Sequence, residues 1–320
     1  NAGGNNNAAS SFFLPLDRIK RVLTLLQQEQ IVSRGSLQTI FELKPYDELR
    51  RLGLSHETET ITRSLFPDQT GMLVVDQVIP GSGSAGQLEP GDILISFNKQ
   101  KIPDFFVLED ILDRNVGEEI LLEIERGGIN LTKKIIVTNL HDISPDEFLE
   151  FGGAVVHDLS YQQARHYNRP IKGVYVANPG YIFSRAAIPR GAVIFEIDGI
   201  TINNIQEFEE KLKYLPDRGR ANVRYYTSDA PRNSSVRLIE MDRTWFPSRH
   251  CERNDVTGLW PCKIFGKGPQ PEEPISASTT FDQYSDYKIN KVAQSLVMVT
   301  FDLPYTVSGV SDRHYYGTGL

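Results

Sequence analysis

Gly91 to Ile102, GDILISFNKQKI, recurs one hundred residues later as Gly191 to Ile202, GAVIFEIDGITI. Glycine falls on glycine, apolar positions fall on apolar positions, and both stretches turn at the same point, at Asn98-Lys99 and Asp198-Gly199. The register persists downstream, where Phe105, Leu108 and Leu112 match Ile205, Phe208 and Leu212, spaced to share one face of a helix. A strand, a tight turn, a second strand and a helix are therefore predicted twice, about one small domain apart. Two like modules account for this better than one large enzyme core.

The offsets extend the comparison upstream. Tyr161, Ala164 and Arg165 fall on Tyr46, Leu49 and Arg50 at an offset of 115, and Gly173 to Ala177 fall on Gly71 to Val75 at an offset of 102. The first copy thus carries 13 more residues than the second, largely in the charged stretch Ser55 to Thr70. That stretch is expected to be a surface loop. Strands are predicted over 37–43, 71–79, 93–97 and 154–159, and a hairpin over 120–125 and 131–137 around Gly127-Gly128. Short helices are predicted from Pro45 and over 161–167.

At 320 residues the chain has room for two or three domains. Its net charge of −7 and pI near 5.5 argue against a phosphate-tracking surface, so no nucleic-acid partner is expected. The longest apolar runs fall short of the roughly 18 to 20 residues that a spanning helix needs, so no membrane span is expected. Asn1 is not an initiator, and further sequence is expected upstream. Cys251 and Cys262 lie in a segment without disulfide-scaffold character, so both are read as free thiols of a reducing compartment. With His250 they offer three ligands where a structural zinc site wants four at tighter spacing, so no metal is expected.

Ahead of the first module, residues 1–11 read as a loop and 12–14 as a short strand. Pro15 opens a helix to about Gln30, with Leu16, Ile19, Leu23 and Leu26 on one face. Its Arg18, Lys20 and Arg21 are expected on a solvated face. Residues 246–278, rich in Gly and Pro among acidic residues, are expected to be a linker. Strands follow over 296–303 and from Tyr315.

Gly81-Ser82-Gly83-Ser84-Ala85-Gly86 satisfies G-x-G-x-x-G. A pyrophosphate site needs a helix directly after those glycines, whereas Pro90-Gly91 closes the segment four residues on. No G-K-[ST] ending is present either, so no nucleotide cofactor is expected. The stretch lacks a G-x-S-x-G elbow, and the six histidines lie in no recognisable base motif.

Residues 81–94, GSGSAGQLEPGDIL, closely resemble the G-S-x-A-x-x-A-G-L-x-x-G-D-x-I signature of PDZ domains in HtrA/Deg serine proteases. Independently, FFLPLDRIK at 12–20 through Arg34-Gly35 resembles the segment with which that family leaves its trypsin-like barrel and enters its first PDZ domain. With the second repeat and Leu215-Pro216-Asp217-Arg218, the chain is similar to the fungal nuclear, apoptosis-associated HtrA-like proteases, which fuse two protease-PDZ halves. The resemblance implies an α+β, mainly β fold of two HtrA-type PDZ modules, small sandwiches or partly open barrels with two helices each, flanked by edges of trypsin-like barrels. It implies the end of a protease barrel and a connecting helix over 1–31, modules over 32–141 and 145–245, a linker over 246–278, and the start of a degenerate trypsin-like domain over 279–320. The family's triad would precede Asn1, so no catalytic residue is carried onto this chain.

The implied function is a peptide-binding, regulatory region of a serine endoprotease in apoptosis and protein turnover, in the nucleus. A stand-alone PDZ scaffold is the alternative. The implied partners are protein C-termini or extended segments and the protease domains of the same parent chain, with oligomerisation left open. A PDZ module binds by strand addition beside a helix, and holds a terminal carboxylate on consecutive backbone N–H groups among small residues. In the second module Gly152, Gly153 and Ala154 would form that loop, Val155 and Val156 the pairing edge, and Phe208, Lys211 and Leu212 the helical wall. In the first, the corresponding residues are Leu37, Gln38, Thr39 and Ile40 with Leu108 and Ile111. Gln38 stands where the family has glycine, which puts carboxylate capture there in doubt.

Overall fold

A computed structural model describes residues 16–227, 230–269, 280, 282–302 and 314–319. The expected strand at 12–14, the loop at 1–11 and part of the expected linker lie outside the described residues. Two compact units divide the chain, one of Asn1–Ser144 with Tyr161–Ile171, the other of Pro145–Ser160 with Lys172–Leu320. The fold is mixed, with sheets predominating.

The first unit runs α1 (Leu16–Gln27), β1 (Gly35–Ser36), β2 (Thr39–Pro45), α2 (Tyr46–Arg51), α3 (His56–Leu65), β3 (Gly71–Val78), β4 (Ile93–Phe97), β5 (Gln100–Lys101), α4 (Phe105–Arg114), β6 (Glu119–Arg126), β7 (Ile129–Ile136) and β8 (Thr138–Asn139). Its main sheet has the order β2-β3-β4-β6-β7, with β5 paired to β4, and β1 pairs with β8 apart from it. Leu73, Leu94, Phe97, Ile120, Leu122 and Ile124 fill the core on one side of this sheet; Tyr46, Leu49, Met72, Val74 and Ile93 form a second cluster.

The second unit runs β9 (Glu147–Phe151) and β10 (Ala154–Asp158). After α5 (Tyr161–Tyr167), which groups with the first unit, come β11 (Val174–Asn178), α6 (Gly180–Arg185), β12 (Val193–Ile197), β13 (Ile200–Thr201), α7 (Ile205–Tyr214), β14 (Arg220–Tyr226) and β15 (Ser235–Glu240). Then follow β16 (Arg249–Glu252), β17 (Cys262–Ile264), α8 (Tyr287–Ala293) and an antiparallel pair, β18 (Val297–Asp302) with β19 (His314–Gly319). Its large sheet has the order β15-β14-β12-β11-β10-β9-β16-β17, with β13 paired to β12.

The duplication reappears element by element. β4, β5 and α4 are matched by β12, β13 and α7 at the same offset. Both tight turns use left-handed backbone, at Asn98 and Lys99 and at Asp198 and Gly199, as a two-residue turn matched to strand twist requires. Asp104 and Asn204 cap the two helices, accepting from Val107 N–H at 3.0 Å and Glu207 N–H at 2.8 Å. Such a cap contributes about 1 kcal/mol.

Four expectations are corrected. The charged stretch after Ser55 is not a loop: it forms α3, capped by Ser55 and anchored by buried Glu59, whose carboxylate accepts from Arg50 at 2.6 and 2.7 Å. On the basic side of α1, Lys20 is exposed as expected, but Arg18 and Arg21 are half-buried and paired. Arg18 pairs with Glu109, and Arg21 donates to the Asp113 carbonyl at 3.1 Å, because α4 offers it acidic partners. Leu16, Ile19, Leu23 and Leu26 are the exposed face instead.

The segment 246–269 is not a linker, since β16 and β17 extend the large sheet and Ser248 and Phe265 are buried. Finally, Cys251 and Cys262 are not free thiols: they face each other in the β16–β17 register and form a disulfide. The argument for a reducing compartment loses its basis with them.

Candidate functional site

In the first unit, β2 ends its sheet. It pairs with β3 from Thr39↔Val78 to Pro45↔Gly71 and with no other described strand. Its opposite backbone edge carries N–H and C=O groups of the kind an incoming strand pairs with. Leu37, Leu108 and Ile111 are buried in the core cluster, where Phe41 and Val107 pack only partly buried. Thr39 is buried, while Gln38 and Ile40 are half-buried.

Two N–H groups of the loop before β2 have partners within the chain. Gln38 adopts φ +52, a conformation otherwise favoured by glycine, and its N–H donates to Ser36 Oγ at 3.0 Å. The Gly35 N–H donates to Asp113 Oδ1 at 2.8 Å. Arg34 lies 3.4 Å and Arg21 3.5 Å from the same carboxylate. Asp113 is buried beside this loop, so a carboxylate belonging to the chain engages one of its N–H groups. Gly35 has no room for a side chain, because a Cβ would lie 2.1 Å from the Leu112 carbonyl oxygen.

The second unit differs from the expectation at the same point. Val155 and Val156 do not present a free edge: β10 pairs with β11 on one side and with β9 on the other, through Ala154↔Phe151, Val155↔Glu150 and Val156↔Leu149. Gly152 and Gly153, expected to hold a carboxylate, form the two-residue turn of that β9–β10 hairpin, with φ of 53° and 72°. The Gly152 carbonyl accepts from the N–H groups of Tyr181 and Ile182 at 3.0 Å, which docks the turn on α6. A pair of glycines serves either purpose, and only the pairing of the residues before it decides which.

β9 fills the groove beside α7 with its own side chains. Leu149 and Phe151 alternate inward and are fully buried, as are Ala154, Val156, Phe208 and Leu212, while Lys211 is half-buried. The Phe151 and Phe208 rings lie 5.8 Å apart. Burial of one such side chain contributes roughly 1.5 to 3 kcal/mol. At the far end of α7, buried Arg243 donates to the Leu212 carbonyl at 2.6 Å and also to that of Leu215, capping the helix.

Polar groups bind the same three elements together. His250 on β16 contacts Glu209 of α7 through Nδ1 at 2.8 Å and Glu147 of β9 through Nε2 at 2.7 Å. Nearby, Asp158 at the end of β10 accepts from the Ile205 N–H that opens α7, at 2.5 Å. Burial, reinforced by Glu147 and other carboxylates, pushes its carboxyl up to about 6. His250 therefore serves neither of the roles weighed from sequence, a zinc ligand or a surface imidazole. The position of His250 had no local signal, because it arises from the long-range pairing of β16 with β9.

The Gly81–Gly86 turn likewise holds no helix after it. Buried Ser84 donates to the Leu37 carbonyl at 2.7 Å, and β4 follows.

The PDZ-like domain family matches residues 142–218, which span β9 to α7. That match places a PDZ-like domain in the second copy of the repeat, and β4, β5 and α4 of the first copy repeat the order of β12, β13 and α7 within it. In particular, the chain is similar along its whole length to fungal pro-apoptotic serine proteases designated NMA111. That of Coccidioides immitis is 38% identical over 324 residues, covering 100% of this chain and 31% of the relative. That of Vanderwaltozyma polyspora is 42% identical over 303 residues, covering 93% and 31%. Protease Do-like 7 of Arabidopsis thaliana is 42% identical over 276 residues, covering 82% and 25%. The chain thus spans about a third or less of the length of these relatives.

Among solved structures, the HtrA-type protease AlgW with a decapeptide is 22% identical, with a TM-score of 0.31, over 39% of this chain and 35% of that one. The HtrA3 PDZ domain bound to a phage-derived ligand is 18% identical, with a TM-score of 0.24, over 33% of this chain and 88% of that one.

Proposed function

We propose that the chain is the peptide-reading, regulatory region of a longer HtrA-like serine protease, and that it reads through its first unit. An extended segment of a client protein adds to the edge of β2 beside α4. The observation that carries this reading is that β2 has one strand partner and β10 has two. Main-chain hydrogen bonds, each worth about 0.5 to 1.5 kcal/mol net, supply affinity, and side-chain pockets supply selectivity.

The client segment is internal rather than C-terminal, because the Gly35 and Gln38 N–H groups are already engaged by Asp113 and Ser36. Similarity along the whole chain to serine proteases favours this role over that of a stand-alone scaffold. Proteolysis belongs in this reading to other parts of the longer protein, whose protease domains are partners of this region. For location we propose the nucleus, on the family likeness alone.

The test is a peptide array followed by backbone editing of the best binder. Amidation of its C-terminus should change affinity by less than about twofold, whereas N-methylation at alternate residues should weaken it about tenfold each. Tolerance of every N-methyl group, or strict dependence on a free carboxylate, would contradict strand addition of an internal segment.

A further inference from the structure

A disulfide lies at the end of the large sheet, where β16 pairs with β17 through Arg249↔Ile264, His250↔Lys263 and Cys251↔Cys262. Its two sulfurs belong to residues in unlike surroundings. Cys251 is on β16, an inner strand, and is fully buried opposite Phe148 of β9. The Phe148 ring lies 5.4 Å from that of Trp260, which leads into β17. Cys262 is on β17, which pairs with β16 alone among the described strands, and it is exposed. Thiol–disulfide exchange depends on which sulfur an attacking thiolate can reach, so Cys262 is the point of attack.

Apart from that bond, β17 is lightly held. Its three residues are exposed, and three register pairs join it to β16. The residues that follow it are anchored. Phe265 is buried in the core of the second unit, and its N–H donates to the Ser248 carbonyl at 3.0 Å. Gly266 packs on the Arg243 guanidinium, where a Cβ would lie 2.8 Å from Nη2. That guanidinium also donates to Ser248 Oγ at 3.3 Å and to the Leu212 carbonyl at the end of α7. A reducible bond thus lies at the start of β17, and the cap of α7 lies just past its end.

We propose that Cys251–Cys262 is a reversible thiol–disulfide site, opened by a dithiol at Cys262, and that its state sets how firmly β17 is fastened to the second unit. In the first step the thiolate bonds to Cys262 Sγ. The Sγ–Sγ bond breaks, and its electron pair passes to Cys251, which takes up a proton. In the second step the other thiol of the reagent attacks the mixed disulfide and expels Cys262, which takes up the second proton. Two electrons have then passed to the protein, and the reagent leaves as its own disulfide. Burial favours the neutral thiol at Cys251, so back-attack is slow and the open form persists. The Trp260 carbonyl oxygen, 3.5 Å from the Cys262 sulfur, accepts from the freed thiol. This site is independent of the edge proposed on β2, so each stands or falls alone.

The probe is dithiothreitol, a small dithiol, added to the full chain in a series of urea concentrations below the unfolding transition. Thiols released with time are counted by alkylation and mass spectrometry. Attack on the folded protein at Cys262 should give a rate that changes by less than about twofold across the series. A rate that climbs about tenfold or more would mean that the bond is reached only by unfolding, and would overturn the proposal. Hydrogen exchange is then compared between the two redox states. Amides of β17 and Phe265 should exchange about tenfold faster after reduction while those of β3 do not change, and reoxidation should restore them. Equal exchange in both states, or a change that reoxidation does not reverse, would also overturn it. As a check on the point of attack, Cys251→Ser should form a mixed disulfide with an added aromatic disulfide about tenfold faster than Cys262→Ser, whose remaining thiol is the buried one. Equal rates would contradict attack at Cys262. The wild-type urea series decides the matter even if a variant fails to fold.

Discussion

Single residues settle questions that segments leave open. Gly180 opens α6 with φ +52, and a Cβ there would lie 2.0 Å from the Gly153 carbonyl carbon. Gly180→Ala should therefore cost on the order of 3 kcal/mol, seen as a lower urea midpoint at unchanged slope.

Asp158 carries a pH signature of its own. Its folded carboxyl titrates near 6 against an ordinary value of 3.8, so the folded state binds the proton more tightly. The resulting stability is fully present below the ordinary value and is lost as pH rises through about 6. Asp158→Asn keeps the oxygen that accepts from Ile205 and should flatten this part of the stability profile, measured by urea melts at several pH values. A slope between these limits that survives the substitution would assign it to another group.

Elements were legible to the extent that their signals are local. The paired strands and helices of the repeat could be read because Asn98-Lys99 and Asp198-Gly199 each mark a turn, and Phe105, Leu108 and Leu112 with Ile205, Phe208 and Leu212 each mark a helix face within a few residues. α3 carried such a signal too, in Ser55 as a cap, but its charged sequence concealed the one face that buries Glu59 and Thr62. β16 is short and relies on β9, about a hundred residues away, whereas β9 had a local signal in its two-glycine hairpin that a carboxylate loop shares. Gly152-Gly153 reads alike as a carboxylate loop or a hairpin turn, and the pairing of Glu147–Phe151 with β10 chooses the second.

The disulfide escaped notice for the same reason, since only the β16–β17 register brings its two cysteines opposite each other. Reducing it, or replacing Cys262 with Ser, should lower the stability of the second unit by about 2 kcal/mol. Thermal melts with and without reductant would check this. An unchanged melting temperature would show that β17 contributes little.

At the scale of the whole molecule, one duplicated module has two fates. The first copy keeps a sheet edge without a described partner, and the second closes the equivalent edge with a strand of its own. The sequence revealed the duplication and not this divergence, because it turns on whether the residues ahead of the first strand fold back on it. In the first copy that approach, Gly35-Ser36, pairs with β8; in the second it forms β9.

The most direct measurement of the account is hydrogen exchange of the full chain at neutral pH, with and without a saturating extended peptide selected for binding. Amides of Thr39 to Lys44 should gain protection while those of Ala154 to Asp158 stay as they were. Protection gained on the second set alone, or on neither, would contradict the assignment of the reading edge to β2.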